Sequence, residues 1–262
     1  MTTDSPSPGP SALAPEARRA VTSAEAGSTK ERLLDAAERL FAERGFEGTS
    51  MRAVTQAAGV SVSAANYHFG SKQALLHATL LRVIDPVNRE RLARLDALEQ
   101  AAAGEPPSPI SLEAVLDTFL APALEARAES ATNPARYRNV AARIYSDPPH
   151  VVAALKDELF SEVLQRYVGA LHRALPGRAV DELLVAFELV VGSMVHVLAG
   201  GLETTPSRGL SHDFGELLPS DALLVDELLV RMTRYAAAGL RAVPALGDTS
   251  EDTHAPAGSL EP

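Results

Sequence analysis

The chain has 262 residues, 46% of them hydrophobic, with 24 Lys/Arg against 34 Asp/Glu and a net charge of −10. That length and apolar content suit one large or two small globular domains. The absence of cysteine excludes disulfides, thiolate zinc sites and a cysteine nucleophile, and no apolar run approaches the ~20 uncharged residues of a membrane span.

Residues 1–27 hold Pro6, Pro8, Pro10 and Pro15 among Ser, Thr, Gly and Ala, a composition that reads as a disordered leader. It lacks the basic-then-apolar layout of a secretory signal. Ser28-x-x-Glu31 forms a capping box. It opens a helix with Leu33, Leu34, Ala37, Leu40 and Phe41 along one face, stopped by Gly45. Ser50 is placed to cap a short helix in which Met51, Val54 and Ala57–Ala58 share a face. Gly59 tolerates the positive φ of a sharp turn, and Val60 can plug the angle behind it. Ser61 caps a second short helix ending near Phe69, Gly70 breaks it, and Ser71 caps the next, with Lys72 at its first position. Helix, glycine turn and short helix is the arrangement that places its second helix in a DNA major groove.

The residues of that second helix agree with a groove between phosphates. Ser61, Ser63, Asn66, Tyr67 and His68 can hydrogen-bond, Ala64 and Ala65 keep the surface flat, and no acid occurs from Gly48 to Arg82. Between Ser28 and Arg82 seven Lys/Arg face five acids, a local net of +2 on an acidic chain. Salt screens the remaining charge beyond ~8–10 Å. Arg18 and Arg19 leave a second reading open for the leader, as an arm adding non-specific DNA affinity.

From Gln73 a helix carries Leu75, Leu76, Leu80 and Val83 until Pro86 is expected to interrupt it, with Asp85 capping a continuation over Asn88 to Ala103. Gly104 to Pro109 is a loop. Helices follow at about 111–130, strained at Pro122, at about 135–146, at about 150–175, at about 179–202 and at about 220–241. The tail from Pro244 is polar and expected to be disordered. Nothing alternates with period two for long, so the fold class is all-α. The expected organisation is a leader over 1–27, a three-helix helix-turn-helix domain over 28–72, a helical body over 73–243 and a tail over 244–262.

The stretch from Ser28 to about Leu81 resembles the DNA-binding domain of TetR-family transcriptional regulators. The resemblance is carried by Leu40–Phe41, Gly45–Phe46, Thr49-Ser50-Met51-Arg52, Ala58-Gly59-Val60-Ser61, Tyr67-His68-Phe69 and Ser71-Lys72. It implies a ligand-responsive homodimer, most often a repressor, on a palindromic double-stranded operator in the cytoplasm at the nucleoid, with no cofactor. By motif position, Ser50, Arg52, Tyr67, His68 and Lys72 match phosphate or backbone contacts. Val62, Ser63, Ala64 and Asn66 match groove-facing positions, beside the capping Ser61. Val62 stands where a basic residue is frequent and Asn66 where a tyrosine is, so no base code is carried over. The body is similar to the fatty-acid-responsive (PsrA-like) branch. That likeness rests on Asn66 to Lys72, Asp85-Pro86-Val87-Asn88-Arg89-Glu90-Arg91-Leu92 and Arg143-Ile144-Tyr145-Ser146-Asp147-Pro148, and it implies a fatty acid or acyl-CoA effector.

In the family the last two helices form a four-helix bundle with those of a second copy. Here Leu183, Leu184, Phe187, Val191 and Val195 would meet Leu224, Leu228, Leu229 and Met232, with Gly192 and Ser193 permitting close approach. The same residues could equally bury the helices inside one subunit. His196 reads as a core histidine or a ligand-head partner. Arg143 and Tyr145 read as interhelical packing or ligand anchors. Phe119, Phe160 and Met194 read as core or pocket wall. A helical-bundle enzyme would need Glu-x-x-His pairs, and that spacing occurs only at Glu251–His254. No phosphate-cradling P-loop or Gly-x-Ser-x-Gly elbow is present, so neither catalytic nor metal-ligating residues are assigned. A dimerising scaffold without a sensor role is the remaining alternative.

Overall fold

The computed structural model describes residues 15–129, 149–199 and 225–242. Among them every regular element is helical, as expected: α1 (Pro15–Arg44), α2 (Met51–Ala58), α3 (Val62–Phe69), α4 (Lys72–Ala102), α5 (Leu112–Glu129), α6 (Pro149–Ala174), α7 (Val180–Leu198) and α8 (Val225–Ala242). The helix expected at about 135–146 and the tail from Pro244 lie outside the described residues. The chain divides into two compact units, Met1–Arg82 and Val83–Pro262.

In the first unit α1 packs on both α2 and α3. Its apolar stripe of Leu33, Leu34, Ala37, Leu40 and Phe41 is buried, each large side chain contributing roughly 1.5–3 kcal/mol by leaving water. Thr49 closes the turn behind Gly45, its hydroxyl donating to the Gly45 carbonyl at 2.8 Å. The first helix is described from Pro15, upstream of the start expected at Ser28. Proline suits a first helical position, and the Ala, Glu and Arg that follow it are good helix formers. The compact first unit extends to Arg82, beyond the boundary expected at Lys72. The opening turns of α4 belong to the first unit because Leu75, Leu76 and Leu80 are buried and Arg82 pairs with three acids of α1. Its guanidinium lies 2.6 Å from Glu38, 2.8 Å from Asp35 and 3.1 Å from Glu31. Burial opposes its charge, but the Glu38 and Asp35 carboxylates outweigh burial and raise its pKa.

Pro86 does not interrupt α4, which runs unbroken from Lys72 to Ala102. One amide hydrogen bond is lost and Pro86 itself is exposed, while the neighbouring Val83, Ile84, Val87 and Asn88 are buried. Packing on that side outweighs the ~3 kcal/mol helix penalty of proline. In the second unit α5 packs against α6, α7 and α8. Its centre is a triangle of rings, with Phe119 5.1 Å from Tyr167 and 4.7 Å from Phe187. The Tyr167 hydroxyl donates to the Arg91 carbonyl at 2.9 Å, and burial pushes its pKa up to about 12. On the outer side of α6, Arg166 and Arg173 both pair with Glu99 of α4, and Arg166 also pairs with Asp96.

The turn between α2 and α3 is locked from α1. Gly59 adopts φ 63°, and Arg32 donates to the carbonyls of Ala58 at 2.6 Å and Gly59 at 2.7 Å. A Cβ on Gly59 would stand 2.9 Å from that guanidinium. Gly59→Ala and Arg32→Ala are each expected to destabilise the first unit by about 1–2 kcal/mol. The double variant should lose less than the sum, because both act on one contact; additive urea midpoints would contradict this. For Tyr167→Phe, the loss is expected to be about 1–2 kcal/mol near neutrality, since a buried carbonyl loses its donor. The fold holds the neutral phenol, so that difference is complete below the unfolded value near ~10 and disappears as pH rises through about 12. A pH-independent difference in urea midpoint would refute the assignment.

Candidate nucleic-acid interface and ligand cavity

The capping expectations for the helix-turn-helix hold in detail. Ser50 accepts from the Ala53 amide, Ser61 from the Ala64 amide and Ser71 from the Ala74 amide, each at 3.1 Å. Each hydroxyl oxygen is thereby used as an acceptor, and its proton stays available to donate outward. Ala65 is wholly buried and seats α3 on the core. That seating turns Ser61, Val62, Ser63, Asn66 and Tyr67 to solvent, Tyr67 to 84%. Ala64 and His68 are half-buried and Arg52 is exposed on α2. The His68 ring stands edge-on to Tyr67 at 5.3 Å. Ala57, expected on the buried face of α2, is exposed, and Thr55 takes its place in the core.

Lys72 has a task that its sequence position did not reveal. Its Nζ donates to the Phe46 carbonyl at 3.1 Å and sits 4.0 Å over the Phe46 ring. The ammonium is held at the start of α4 with further protons to offer. Arg32 was equally missed. It counts as a basic residue in the sequence but is spent on the carbonyls of the turn.

The second unit contains a cavity of about 440 Å³ among α4, α5, α6 and α7. Phe119, Phe160 and Met194 line it, as the pocket reading expected. His196 is not among its lining residues and is exposed, which sets aside the core reading. Arg143 and Tyr145 lie outside the described residues. Arg91, missed from sequence, lines the cavity while only 2% exposed. Its Nε donates to the Phe119 carbonyl at 2.9 Å, its Nη1 to Asn88 Oδ1 at 3.0 Å and its Nη2 to Met194 Sδ at 3.3 Å. The guanidinium also lies 4.2 Å over the Phe119 ring. A sequence signal existed: Ile84, Val87, Arg91 and Leu95 share one helical stripe, so a charge falls on the apolar face.

Phe187, Val191 and Val195, expected at a surface between copies, line the cavity. Leu228 is buried within its own unit and Met232 is half-buried, while Leu224 lies outside the described residues. Among the described residues of that set Leu184 alone is exposed. The reason is that α7 has two apolar stripes. The subunit interior takes Leu183, Phe187, Val190, Met194 and Leu198. The other stripe, Leu184, Val185 and Leu189, faces solvent, with Leu189 63% exposed, and α8 adds exposed Val230 and Tyr235.

Among the described residues no group of His, Cys, Asp or Glu could hold a metal ion, and no helix is long and apolar enough to cross a membrane.

Comparison with known proteins agrees with these features. A family model described as bacterial regulatory proteins, tetR family, matches residues 33–79. One described as the tetracyclin repressor-like C-terminal domain matches residues 117–239. The transcriptional regulator UidR of Escherichia coli K12 is 40% identical over 58 residues, covering 22% of this chain and 30% of UidR. The transcriptional repressor BepR of Brucella suis is 28% identical over 152 residues, covering 57% of this chain and 68% of BepR. These names are those of regulators and not of enzymes. In fold, the crystal structure of a tetR-family regulatory protein from Rhodococcus RHA1 matches with a TM-score of 0.50 at 17% identity, covering 83% of this chain and 98% of that one. The chain belongs to the TetR family of bacterial regulatory proteins.

Proposed function

We propose that this protein is a DNA-binding transcriptional repressor. It acts in the cytoplasm, on the nucleoid, as a homodimer on a two-fold-symmetric operator, and a small apolar effector bound in the cavity releases it. The observation that carries the reading is α3, a capped, acid-free helix seated by Ala65 with Ser63, Asn66 and Tyr67 exposed. Such a helix offers hydrogen-bond donors and acceptors to base edges, while Arg52 and Lys72 supply charge to phosphates. The similarity to BepR, a transcriptional repressor, supports the direction of control. The effector role rests on a cavity whose wall is mostly apolar and includes Ile84 and Arg91 of α4. An occupant thus touches the helix that begins in the first unit and ends in the second. It shifts the equilibrium only by its differential affinity for the DNA-competent state.

Selection of bound DNA from a random pool tests the reading, and recovered sites without two-fold symmetry would sink it. On the selected site Asn66→Ala is expected to lose ~1–3 kcal/mol and to relax one base position. Lys72→Ala should weaken all sequences alike and lower the salt slope by about one ion, together with a stability loss from the broken Phe46 contact. Identical behaviour of the two variants would contradict the roles.

The exposed stripes of α7 and α8 are the surface we assign to the second copy, in place of Phe187, Val191 and Val195. The protein is expected to sediment as a dimer at micromolar concentration and Leu189→Glu as a folded monomer. Phe187→Glu should instead lower stability. A monomeric parent, or a dimeric Leu189→Glu, would overturn the assignment.

A further inference from the structure

Resting on the DNA-reading role of α3 proposed above, we infer that Val62 selects a thymine by contact with its 5-methyl group. The valine side chain carries no donor or acceptor, so it cannot read a base through the hydrogen-bonding pattern of the major groove. Among the four bases only thymine shows an apolar group there, the methyl on C5. A valine that enters the groove therefore has one base edge to prefer.

A lone exposed valine is common on protein surfaces, but Val62 is not a scattered residue. It is 46% exposed, and among the described residues of the first unit only Val62 and Tyr67 are exposed large hydrophobics, both on α3. Val62 is the first residue of α3, directly after the Ser61 cap. The N-terminal residues of a recognition helix are the ones that reach base edges. No acid occurs from Gly48 to Arg82, so no carboxylate on α2 or α3 repels the phosphates as the helix enters. A β-branched side chain is stiff at χ1, so little rotamer freedom is lost when it is held against a methyl. Val62 and Asn66 stand one turn apart on α3, and both are exposed. Side chains at that spacing lie about 5–6 Å apart, against ~3.4 Å between successive bases on a strand. The thymine that Val62 touches therefore lies within about two base pairs of the base that Asn66 reads.

The test compares the operator selected from the random pool with copies in which single thymines are replaced by uracil. That replacement removes the methyl and leaves every hydrogen-bonding group in place. At the contacted thymine the full chain is expected to lose about fourfold in affinity, the share of one buried methyl. With both half-sites replaced the loss should reach about fifteenfold, because the two sites are distant and their effects add in free energy. Val62→Ala retains the exposed helix, since alanine is the stronger helix former. Its loss from the same replacement should stay below about twofold. A change of DNA shape caused by uracil, or a methyl contact made by another side chain, would persist in that variant. The inference falls if no thymine of a half-site is sensitive on the parent protein, or if the sensitivity persists in Val62→Ala. It falls equally if the sensitive thymine lies more than about two base pairs from the position relaxed by Asn66→Ala. In each of those outcomes the operator is still bound, so the DNA-binding reading survives. A selection that recovers no two-fold-symmetric site would remove that reading and the inference together.

Discussion

A buried arginine holds the second unit together. Arg91 reaches α5 through the Phe119 carbonyl and α7 through Met194, and its own carbonyl accepts from Tyr167 of α6. Asn88, one turn earlier, extends the set by donating to the Leu159 carbonyl at 2.7 Å. Four helices thus meet around one guanidinium. A charge taken out of water needs hydrogen bonds in fixed directions, so the helices around it have little freedom of register. The aromatic triangle of Phe119, Tyr167 and Phe187 packs against this frame, and the space beside it is the cavity. The interior surface that would meet a ligand is therefore made of the same groups that order the unit.

The first unit solves a different problem, the direction of one exposed helix. The Gly59 turn sets the chain reversal, Arg32 ties the turn to α1, and Ala65 seats α3. None of these faces outward. The exposed side chains of α3 are thereby free to vary with the sequence to be read, while the frame that aims them remains the same.

The parts of the fold legible in the sequence were those with local causes. Ser50, Ser61 and Ser71 cap the helices they precede because a hydroxyl beside free amides needs nothing distant to act. Gly59 likewise announces its own backbone angle. What escaped notice depends on partners far along the chain. Arg32 and Lys72 read as surface charge, yet each is directed at carbonyls 26 residues away. Phe187, Val191 and Val195 line a cavity inside the subunit, which their place on a helix does not announce, since periodicity identifies a stripe and not what covers it. Pro86 read as a break because propensity is local, whereas the buried flank of α4 that overrides it is tertiary.

The ion pairs of Arg166 and Arg173 with Asp96 and Glu99 give α6 a polarity along its length. Every α6 residue that lines the cavity lies at or before Gln165, and these pairs lie beyond it. The desolvation penalty of charged pairs falls with temperature, while apolar burial gains little per unit area. On warming, the ionic end of α6 keeps its hold on α4 while the end beside the cavity weakens relative to it. Heat and ionic strength therefore act unequally on the pairs of Arg166 and Arg173: salt loosens them, and warming leaves them comparatively strong.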